Sequence, residues 1–161
     1  MSSDFNKDAL LRSAKRINVS YFKEQQEDAI NAIWQWWQSQ SISFTLSGYA
    51  GTGKTFIMRH LVRYLIVEKV CVTAPTHKAL RVLENSSGKK GMTIQSLCGL
   101  RPDVDIEDYN IENPSFKVIG EQKMRGYRLV IIDECSMINP GLFNLLIKTA
   151  IQCRCKLLFL G

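Results

Sequence analysis

The residues best suited to chemistry lie in GYAGTGKT, residues 48–55, which fits the pattern G-x-x-x-x-G-K-[ST] without a mismatch. Glycines in this pattern let successive backbone N–H groups converge on phosphate oxygens. Lys54 then reaches the β- and γ-phosphates, and Thr55 offers its hydroxyl to Mg²⁺. Such a pattern arises by chance in under about 1% of chains of this length. We therefore expect a phosphate cradle formed by Gly48, Ala50, Gly51, Thr52, Gly53, Lys54 and Thr55.

A pair of acids closes a second apolar run, in LVIIDECSM. Asp133 is placed to hold Mg²⁺ through water, and Glu134 to orient and deprotonate an attacking water. A charged pair at the end of a buried strand is ordinary by itself. Its position downstream of a phosphate loop favours a functional role, because strand ends on one edge of a parallel sheet line the ligand crevice.

The elements that must position these motifs are short apolar runs separated by helix-like segments. The runs are SFTLSG, VCVTAP, LVIIDE and KLLFLG, each too uniformly apolar for an exposed antiparallel strand. Ile57, Leu61 and Leu65 have helical spacing, and Asn139 and Pro140 are typical of an N-cap and a first helical residue. That second helix carries Leu142, Leu145 and Leu146. The pattern predicts an α/β sandwich with parallel strands covered on both faces.

An amphipathic helix is predicted before the first strand, in YFKEQQEDAINAIWQWWQ, with Ser20 as its N-cap. Its apolar face is formed by Phe22, Ala29, Ile30, Ile33, Trp34 and Trp37. Tryptophans can stack on nucleic-acid bases, but core packing is the favoured interpretation. Trp36 lies off this predicted face, and the pattern does not explain it.

Composition sets the broad class of protein. A chain of 161 residues with 45% hydrophobic and 22% charged residues is typical of one soluble globular domain. No apolar run approaches the roughly 20 residues of a membrane span, and the charged N-terminus lacks a signal-peptide core, so we expect a cytosolic protein. The net charge of +6 is a weak indication of polyanionic partners.

The five cysteines are scattered through apparent core segments, which favours buried free thiols over a disulfide framework. Cys153 and Cys155 form a lone C-x-C, which is weak evidence for zinc. Residues 101–127 are rich in acids, prolines and glycines. Their acidic run lacks the glycine and glutamate spacing of a calcium loop, so a solvated excursion with a small hairpin is the favoured interpretation.

Taken together in chain order, these motifs resemble those of the first motor domain of superfamily 1 helicases, in the RecD-like, Pif-like and phage Dda-like branch. EQQEDA resembles the Q motif, GYAGTGKT motif I, TAPTHKAL motif Ia, TIQSLCGL the T-I-H-S segment, IIDECSM motif II and LFLG the opening of motif III. The resemblance implies a three-layer RecA-like P-loop NTPase domain with a mostly parallel sheet. It implies ATP-driven movement along single-stranded DNA, with RNA not excluded, and ATP and Mg²⁺ as cofactors.

Individual roles follow from the resemblance. Gln26 stands where the family reads the adenine edge, with an exposed helix position as the alternative. Lys54 and Glu134 are the expected catalytic residues, and Thr55 and Asp133 the magnesium ligands. Nucleic-acid contacts are expected from Thr76, His77, Lys78, Thr93, Gln95 and Ser96. For Thr76 the alternative is a helix N-cap, which is compatible with a contact, and for Lys78 a solvated helix residue.

The resemblance covers residues 20–161 as motor domain, after an extension of residues 1–19. Gln95 replaces the histidine common in the family, and Gly161 precedes the point where motif III continues. The second motor domain and its catalytic arginines are expected elsewhere in a longer, nucleoid-associated or phage-encoded protein, so we expect the isolated chain not to unwind DNA. Two alternatives stay open: another P-loop ATPase or small-molecule kinase, and a non-catalytic nucleotide-binding interaction module.

Overall fold

The computed structural model describes residues 24–49, 51–64, 69–100 and 120–161. Predictions for Ser20, Phe22, Ala50, Leu65 and the acidic run after residue 100 therefore lie outside the described residues. The helices of the described part are α1 (Glu24–Gln38), α2 (Lys54–Tyr64), α3 (His77–Ser87), α4 (Ile94–Cys98) and α5 (Pro140–Cys153), with 3₁₀ turns at Lys123–Gly126 and Cys135–Met137. The strands are β1 (Ser43–Leu46), β2 (Val70–Ala74), β3 (Met92–Thr93), β4 (Leu129–Ile132) and β5 (Lys156–Leu160).

The strands form one five-stranded sheet in the order β1-β5-β4-β2-β3. Every pairing is parallel, so all carboxyl ends lie on the same edge of the sheet. The four predicted strands are confirmed. The two-residue β3 was not predicted, because Met92 and Thr93 are too few to show any periodicity.

Each face of the sheet is covered by helices, which confirms the three-layer architecture. On one face α1, α2 and α3 pack on Val70, Val72 and Ala74 of β2, and on the other α4 and α5 pack on the layer that includes Cys71. Successive strand residues point to opposite faces, so a strand with two covered faces must be apolar throughout, as β4 is. Burial of each Leu or Ile stabilises the fold by about 1.5–3 kcal/mol.

Helix α1 packs by its tryptophans, but not as the sequence pattern predicted. Trp36, predicted to lie off the apolar face, is only 5% exposed and packs on Phe44 of β1 at 5.7 Å between ring centroids. The prediction was wrong because Ala29, Ile33 and Trp36 are spaced four and three residues apart, which places them on one helix face. Trp34 and Trp37 are half-buried against the same cluster, so the core interpretation of the tryptophans is confirmed.

The last turn of α1 is held by the first residue of β5. Lys156 Nζ donates to the carbonyl oxygens of Trp36 at 2.9 Å, Ser39 at 2.8 Å and Ser41 at 2.9 Å. The final carbonyls of a helix have no partner within it, and a cation there also opposes the negative end of the helix dipole. The ammonium lies 4.9 Å from the centroid of the Trp36 ring, and burial lowers the pKa of Lys156. These hydrogen bonds hold the C-terminal end of α1 at the amino edge of the sheet.

Residues 120–127 are not simply the solvated excursion that their composition predicted. Met124, in the 3₁₀ turn Lys123–Gly126, is 0% exposed and belongs to the core between the sheet, α4 and α5. Gly120 N donates to Gly99 O at 3.0 Å, which ties the segment to the end of α4. A single buried methionine between charged residues leaves no periodic signal, so sequence reasoning missed it.

All five cysteines are free thiols, and Cys71, Cys98 and Cys155 are buried. Burial raises the pKa of Cys71 to about 11 and the pKa of both Cys98 and Cys155 to about 12, so these thiols stay protonated near neutral pH. None of the helices that the structure describes is long and apolar enough to cross a membrane.

Candidate nucleotide and nucleic-acid site

The predicted functional segments all follow strand ends on the carboxyl edge of the sheet. Residues 48–55 follow β1, Gly161 follows β5 and the Asp133–Glu134 pair follows β4; we call these segments the phosphate half. Residues 75–78 follow β2 and residues 94–96 follow β3; we call these the outer half. With about 4.8 Å between strands, the four spacings from β1 to β3 separate the ends of the edge by about 19 Å.

The phosphate loop adopts a conformation that needs glycine. Gly51 has φ 81° and Gly53 has φ 94°, in the region that residues with a Cβ rarely adopt. A Cβ on Gly53 would also collide with the side-chain amide of Gln26. Thr52 closes the loop on itself, since its N–H and its hydroxyl both donate to Tyr49 O, at 3.3 and 2.8 Å.

The loop is attached to the neighbouring strand β5. Gly48 N donates to Gly161 O at 3.0 Å, and Gly161 N donates to Leu46 O at 3.2 Å. Gly161 in turn lies against the motif that follows β4, because a Cβ added to it would be 2.5 Å from Cys135 Sγ. Three neighbouring strand ends therefore form one continuous surface.

The Lys54 ammonium lies over its own loop. Its Nζ donates to the carbonyl oxygens of Gly48 and Tyr49, the latter at 3.1 Å. Lys54 is also the first residue of α2, whose positive dipole end faces the loop. The lysine thus points into the ring of backbone that the motif predicts as a phosphate cradle.

Gln26 contacts this loop from α1. Its Nε2 donates to Thr52 O at 3.3 Å, across 26 residues of sequence. Gln26 lies on the same helix face as Ile30 and Ile33, which pack on the sheet, and so the core packing of α1 carries the amide to the loop. The structure therefore places the Gln26 amide against the backbone of the phosphate loop.

The acidic pair is positioned by the end of β4. Asp133 N donates to Thr73 O at 3.0 Å, and Asp133 Oδ1 accepts from Glu134 N at 3.0 Å. Glu134 has φ 53°, a left-handed conformation that costs a non-glycine residue about 1–3 kcal/mol. The carboxylate of Glu134 is exposed. The backbone therefore turns sharply at Glu134, just after the end of β4.

Lys54 and Asp133 both act electrostatically on Cys135. Burial and the Asp133 carboxylate raise the pKa of this thiol, and the Lys54 ammonium opposes them. Both charges therefore act on one atom, although they belong to segments that follow different strands. This arrangement can bind an anionic phosphate beside a carboxylate that holds a cation.

The donor set suits Mg²⁺. Thr55, exposed in the first turn of α2, offers a hydroxyl, and the half-exposed Asp133 offers a carboxylate. Within the described ranges no group of three His, Cys, Asp or Glu residues could hold a metal alone. One hydroxyl and one carboxylate fit Mg²⁺, which is usually bound through one or two protein ligands together with substrate phosphates and water.

In the outer half, Thr76 is confirmed as the N-cap of α3. Its Oγ1 accepts from Ala79 N at 3.2 Å, which leaves the hydroxyl proton to donate elsewhere. His77 and Lys78 follow in the first turn, and both are exposed. The three predicted contact residues of this segment therefore lie together at the carboxyl end of β2.

The predicted contact residues after β3 differ in their exposure. Thr93 caps α4 by accepting from Ser96 N at 3.3 Å and is only 9% exposed. Gln95 Oε1 is buried and accepts no hydrogen bond from the described residues. Ser96 Oγ accepts from Lys123 Nζ at 3.3 Å. Lys123 was not predicted, and its only signal was the alternation of basic residues in QKMRG.

The chain matches the AAA domain family over residues 21–161. It is 33% identical over 129 residues to the ATP-dependent DNA helicase dda of Enterobacteria phage T4, covering 78% of this chain and 28% of that protein. It is 27% identical over 100 residues to the ATP-dependent DNA helicase Pif1 of a Psychrobacter species, covering 62% of this chain and 15% of that protein.

Among solved structures, the chain resembles that of Bacteroides Pif1 in complex with ADP-AlF4, with a TM-score of 0.59 and 24% identity. The match covers 88% of this chain and 32% of that one. At this identity the likeness shows the fold, which is the RecA-like fold. The chain thus spans about a third or less of the length of these relatives.

Proposed function

Because the chain belongs to the AAA domain family, and within it to the Pif1/Dda-like branch of superfamily 1 helicases as an N-terminal motor domain, we propose that it binds ATP and couples its hydrolysis to movement along single-stranded DNA. One observation carries the proposal. Lys54, Thr55 and Asp133 follow strands that lie on one side of the sheet, around a glycine loop whose backbone is already curved. The phage T4 and Psychrobacter relatives are ATP-dependent DNA helicases, and the Bacteroides Pif1 structure contains ADP-AlF4.

In the proposed mechanism each residue has one task. The backbone N–H groups of the loop bind the phosphates, and Lys54 exchanges its carbonyl partners for the β- and γ-phosphate oxygens. Thr55 and Asp133 would hold Mg²⁺, which when bound would neutralise charge on those oxygens. Glu134, exposed and turned out of the strand, orients water and accepts its proton.

Gln26 is proposed to recognise adenine. A side-chain amide donates and accepts at once, which matches the N6 and N7 edge of that base. The contact between Gln26 and Thr52 O supports this role, because it holds the amide at the loop that binds the phosphates. Residues 20–161 are proposed as the motor domain, and residues 1–19 as an extension to it.

Single-stranded DNA is proposed to lie along the outer half. Thr76 and Lys78 after β2, and Ser96 after β3, present a hydroxyl, an ammonium and a second hydroxyl at neighbouring strand ends. Such donors contact phosphates without reading sequence, as a motor requires. His77, Thr93 and Gln95 complete the proposed segments, and the capping role of Thr93 positions Ser96.

Turnover is proposed to need a second motor domain, which brings an arginine to the γ-phosphate. Such an arginine is worth about 10³ to 10⁵ in rate, and translocation requires two domains that close and open on ATP. These 161 residues should therefore bind ATP–Mg²⁺ but hydrolyse it slowly. Rapid DNA-stimulated hydrolysis by these residues alone would contradict the need for a second domain.

Steady-state ATP hydrolysis by the protein together with the proposed second motor domain, measured with and without single-stranded DNA, tests the proposed function. DNA-stimulated hydrolysis by the protein supports a helicase motor. Hydrolysis that ignores DNA would indicate another ATPase, and phosphate transfer to a small acceptor would indicate a kinase. Nucleotide binding without turnover under any condition would indicate a non-catalytic module.

A further inference from the structure

We infer that Lys123, paired with Ser96, is a further phosphate-binding residue for single-stranded nucleic acid, at the β3 end of the outer half. This inference rests on the proposed function, because it extends the proposed DNA path by one residue that no sequence motif contains. The ligand it would take is a backbone phosphate. The pairing is direct, with Lys123 Nζ 3.3 Å from Ser96 Oγ.

The backbone that carries Lys123 is fixed by the core. Met124, the next residue, is fully buried, and Tyr127 N donates to Met124 O at 3.0 Å to close the turn. Before the turn, Gly120 is bonded to Gly99, which has φ 69° and where a Cβ would lie 2.6 Å from Gly120 O. The backbone of Lys123 is therefore held beside α4 independently of the hydrogen bond that its side chain makes.

The chemistry of the pair suits a phosphate. An ammonium has three donors, and the bond to Ser96 uses one of them. Because Ser96 Oγ accepts that bond, its own proton is directed to another acceptor. Two donors, one of them charged, are thus side by side at the surface, and a single phosphate oxygen can accept from both.

The local charge favours an anion. Described residues 120–127 contain the exposed basic residues Lys123 and Arg125 against one acid, the exposed Glu121. Since β2 and β3 are neighbours, the Lys123–Ser96 pair lies about one strand spacing beyond the segment that carries Lys78. The outer half then presents two cations, Lys78 and Lys123, along the direction of the proposed single-stranded DNA. The sequence motifs supplied Lys78 alone.

If Lys123 only stabilised the fold, its replacement would lower the melting temperature. An exposed lysine contact contributes little to stability, and here Met124 and the Gly99–Gly120 bond already anchor the segment. Removal of the ammonium should therefore change nucleic-acid binding without changing the melting temperature.

The test is binding of fluorescent oligo(dT) by the protein, measured by anisotropy at several salt concentrations. Lys123→Ala should weaken binding by about threefold and reduce the salt slope by about 0.7, the value for one phosphate contact on a single strand. Lys123→Arg should keep the slope. The matched control is Lys69→Ala, which removes the same charge from an exposed residue just before β2, at the opposite edge of the sheet.

A double-mutant cycle with Ser96→Ala sharpens the test, because residues that share one phosphate should show non-additive losses. If Lys78→Ala weakens binding but Lys123→Ala and Lys123→Arg leave affinity and slope unchanged, the inference is overturned and the proposed function stands. If the protein does not bind oligo(dT), or the Lys69→Ala control weakens binding as much as Lys123→Ala and Lys78→Ala, both are overturned.

Discussion

The phosphate half and the outer half share one sheet edge but are built differently. In the phosphate half the main chain forms the site, through glycines with positive φ and a loop hydrogen-bonded to itself and to β5. In the outer half the main chain is ordinary, since Thr76 and Thr93 cap regular helices and the side chains supply the donors. A backbone site tolerates few substitutions, whereas a side-chain site can lose one donor and keep the rest.

This difference predicts that variants in the phosphate half have large effects on ATP only, and variants in the outer half small effects on DNA only. The two ligands should separate cleanly, because Lys54 bonds to its own loop, whereas Thr76 bonds to α3 and Ser96 to Lys123. The two halves are linked through the sheet, where Asp133 N donates to Thr73 O of β2.

The largest effect is expected from Glu134→Gln. Loss of the base should lower the hydrolysis rate by about 10² to 10⁴. ATP affinity should be nearly unchanged, because Glu134 is exposed and its described hydrogen bonds go to Asp133 and Met137. Single-turnover hydrolysis and fluorescent-nucleotide binding measure the two quantities. A matching loss of affinity would show that Glu134 supports the loop and is not the base.

Next in size is Lys54→Ala, which should weaken ATP binding by about 100-fold, since a charge-assisted hydrogen bond contributes about 1.5–3 kcal/mol. Titration of the protein with a fluorescent ATP analogue measures this. Lys148→Ala is the control, an exposed lysine on α5. DNA binding by Lys54→Ala should equal that of the unchanged protein. A parallel loss of DNA binding would break the division of the edge into two halves.

Gln26→Ala should weaken ATP by about five- to tenfold, the equivalent of one or two neutral hydrogen bonds. Free triphosphate, which lacks adenine, should lose less. Competition of each ligand against the fluorescent analogue gives the ratio. Equal losses for both ligands would instead assign Gln26 to support of the loop through Thr52 O.

The smallest effect is expected from Lys78→Ala, an exposed phosphate contact in the first turn of α3. DNA affinity should fall by about threefold and by a similar factor for different sequences, with the salt slope reduced by about 0.7. ATP affinity should stay the same. If neither affinity nor slope changes in anisotropy measurements, this segment does not belong to the proposed DNA path.

The same contrast explains what could be predicted from the sequence. Gly53 was identifiable because its φ of 94° is a conformation that few residue types adopt. Gly48, Lys54 and Thr55 were identifiable because they stand at fixed spacing from it in the phosphate-loop pattern. The cap formed by Asn139 was identifiable for a similar local reason, and its Oδ1 accepts from Leu142 N at 2.8 Å. Patterns that reflect local backbone geometry can be recognised within one short stretch of sequence.

Features that depend on tertiary packing were missed. Trp36 was predicted to lie off the apolar face because the pattern did not include its spacing from Ile33. β3 has two residues, which is too short to show a hydrophobic period. Met124 is buried and Lys123 meets Ser96 because the turn Lys123–Gly126 docks on α4, across 27 residues of sequence. No local propensity encodes such a distant contact.

The position of β5 has a consequence for how the domain is made. β5 is the last of the described strands but lies between β1 and β4, and among the described strands β1 pairs only with β5. While the chain emerges from a ribosome, β1 and the loop after it wait without a partner until residues 156–161 arrive, whereas β2 and β4 can already pair. Such long-range pairing slows folding and exposes apolar strands to aggregation. Within these 161 residues, nucleotide recognition should therefore be among the last properties to form, and nascent chains arrested before residue 156 should not bind ATP.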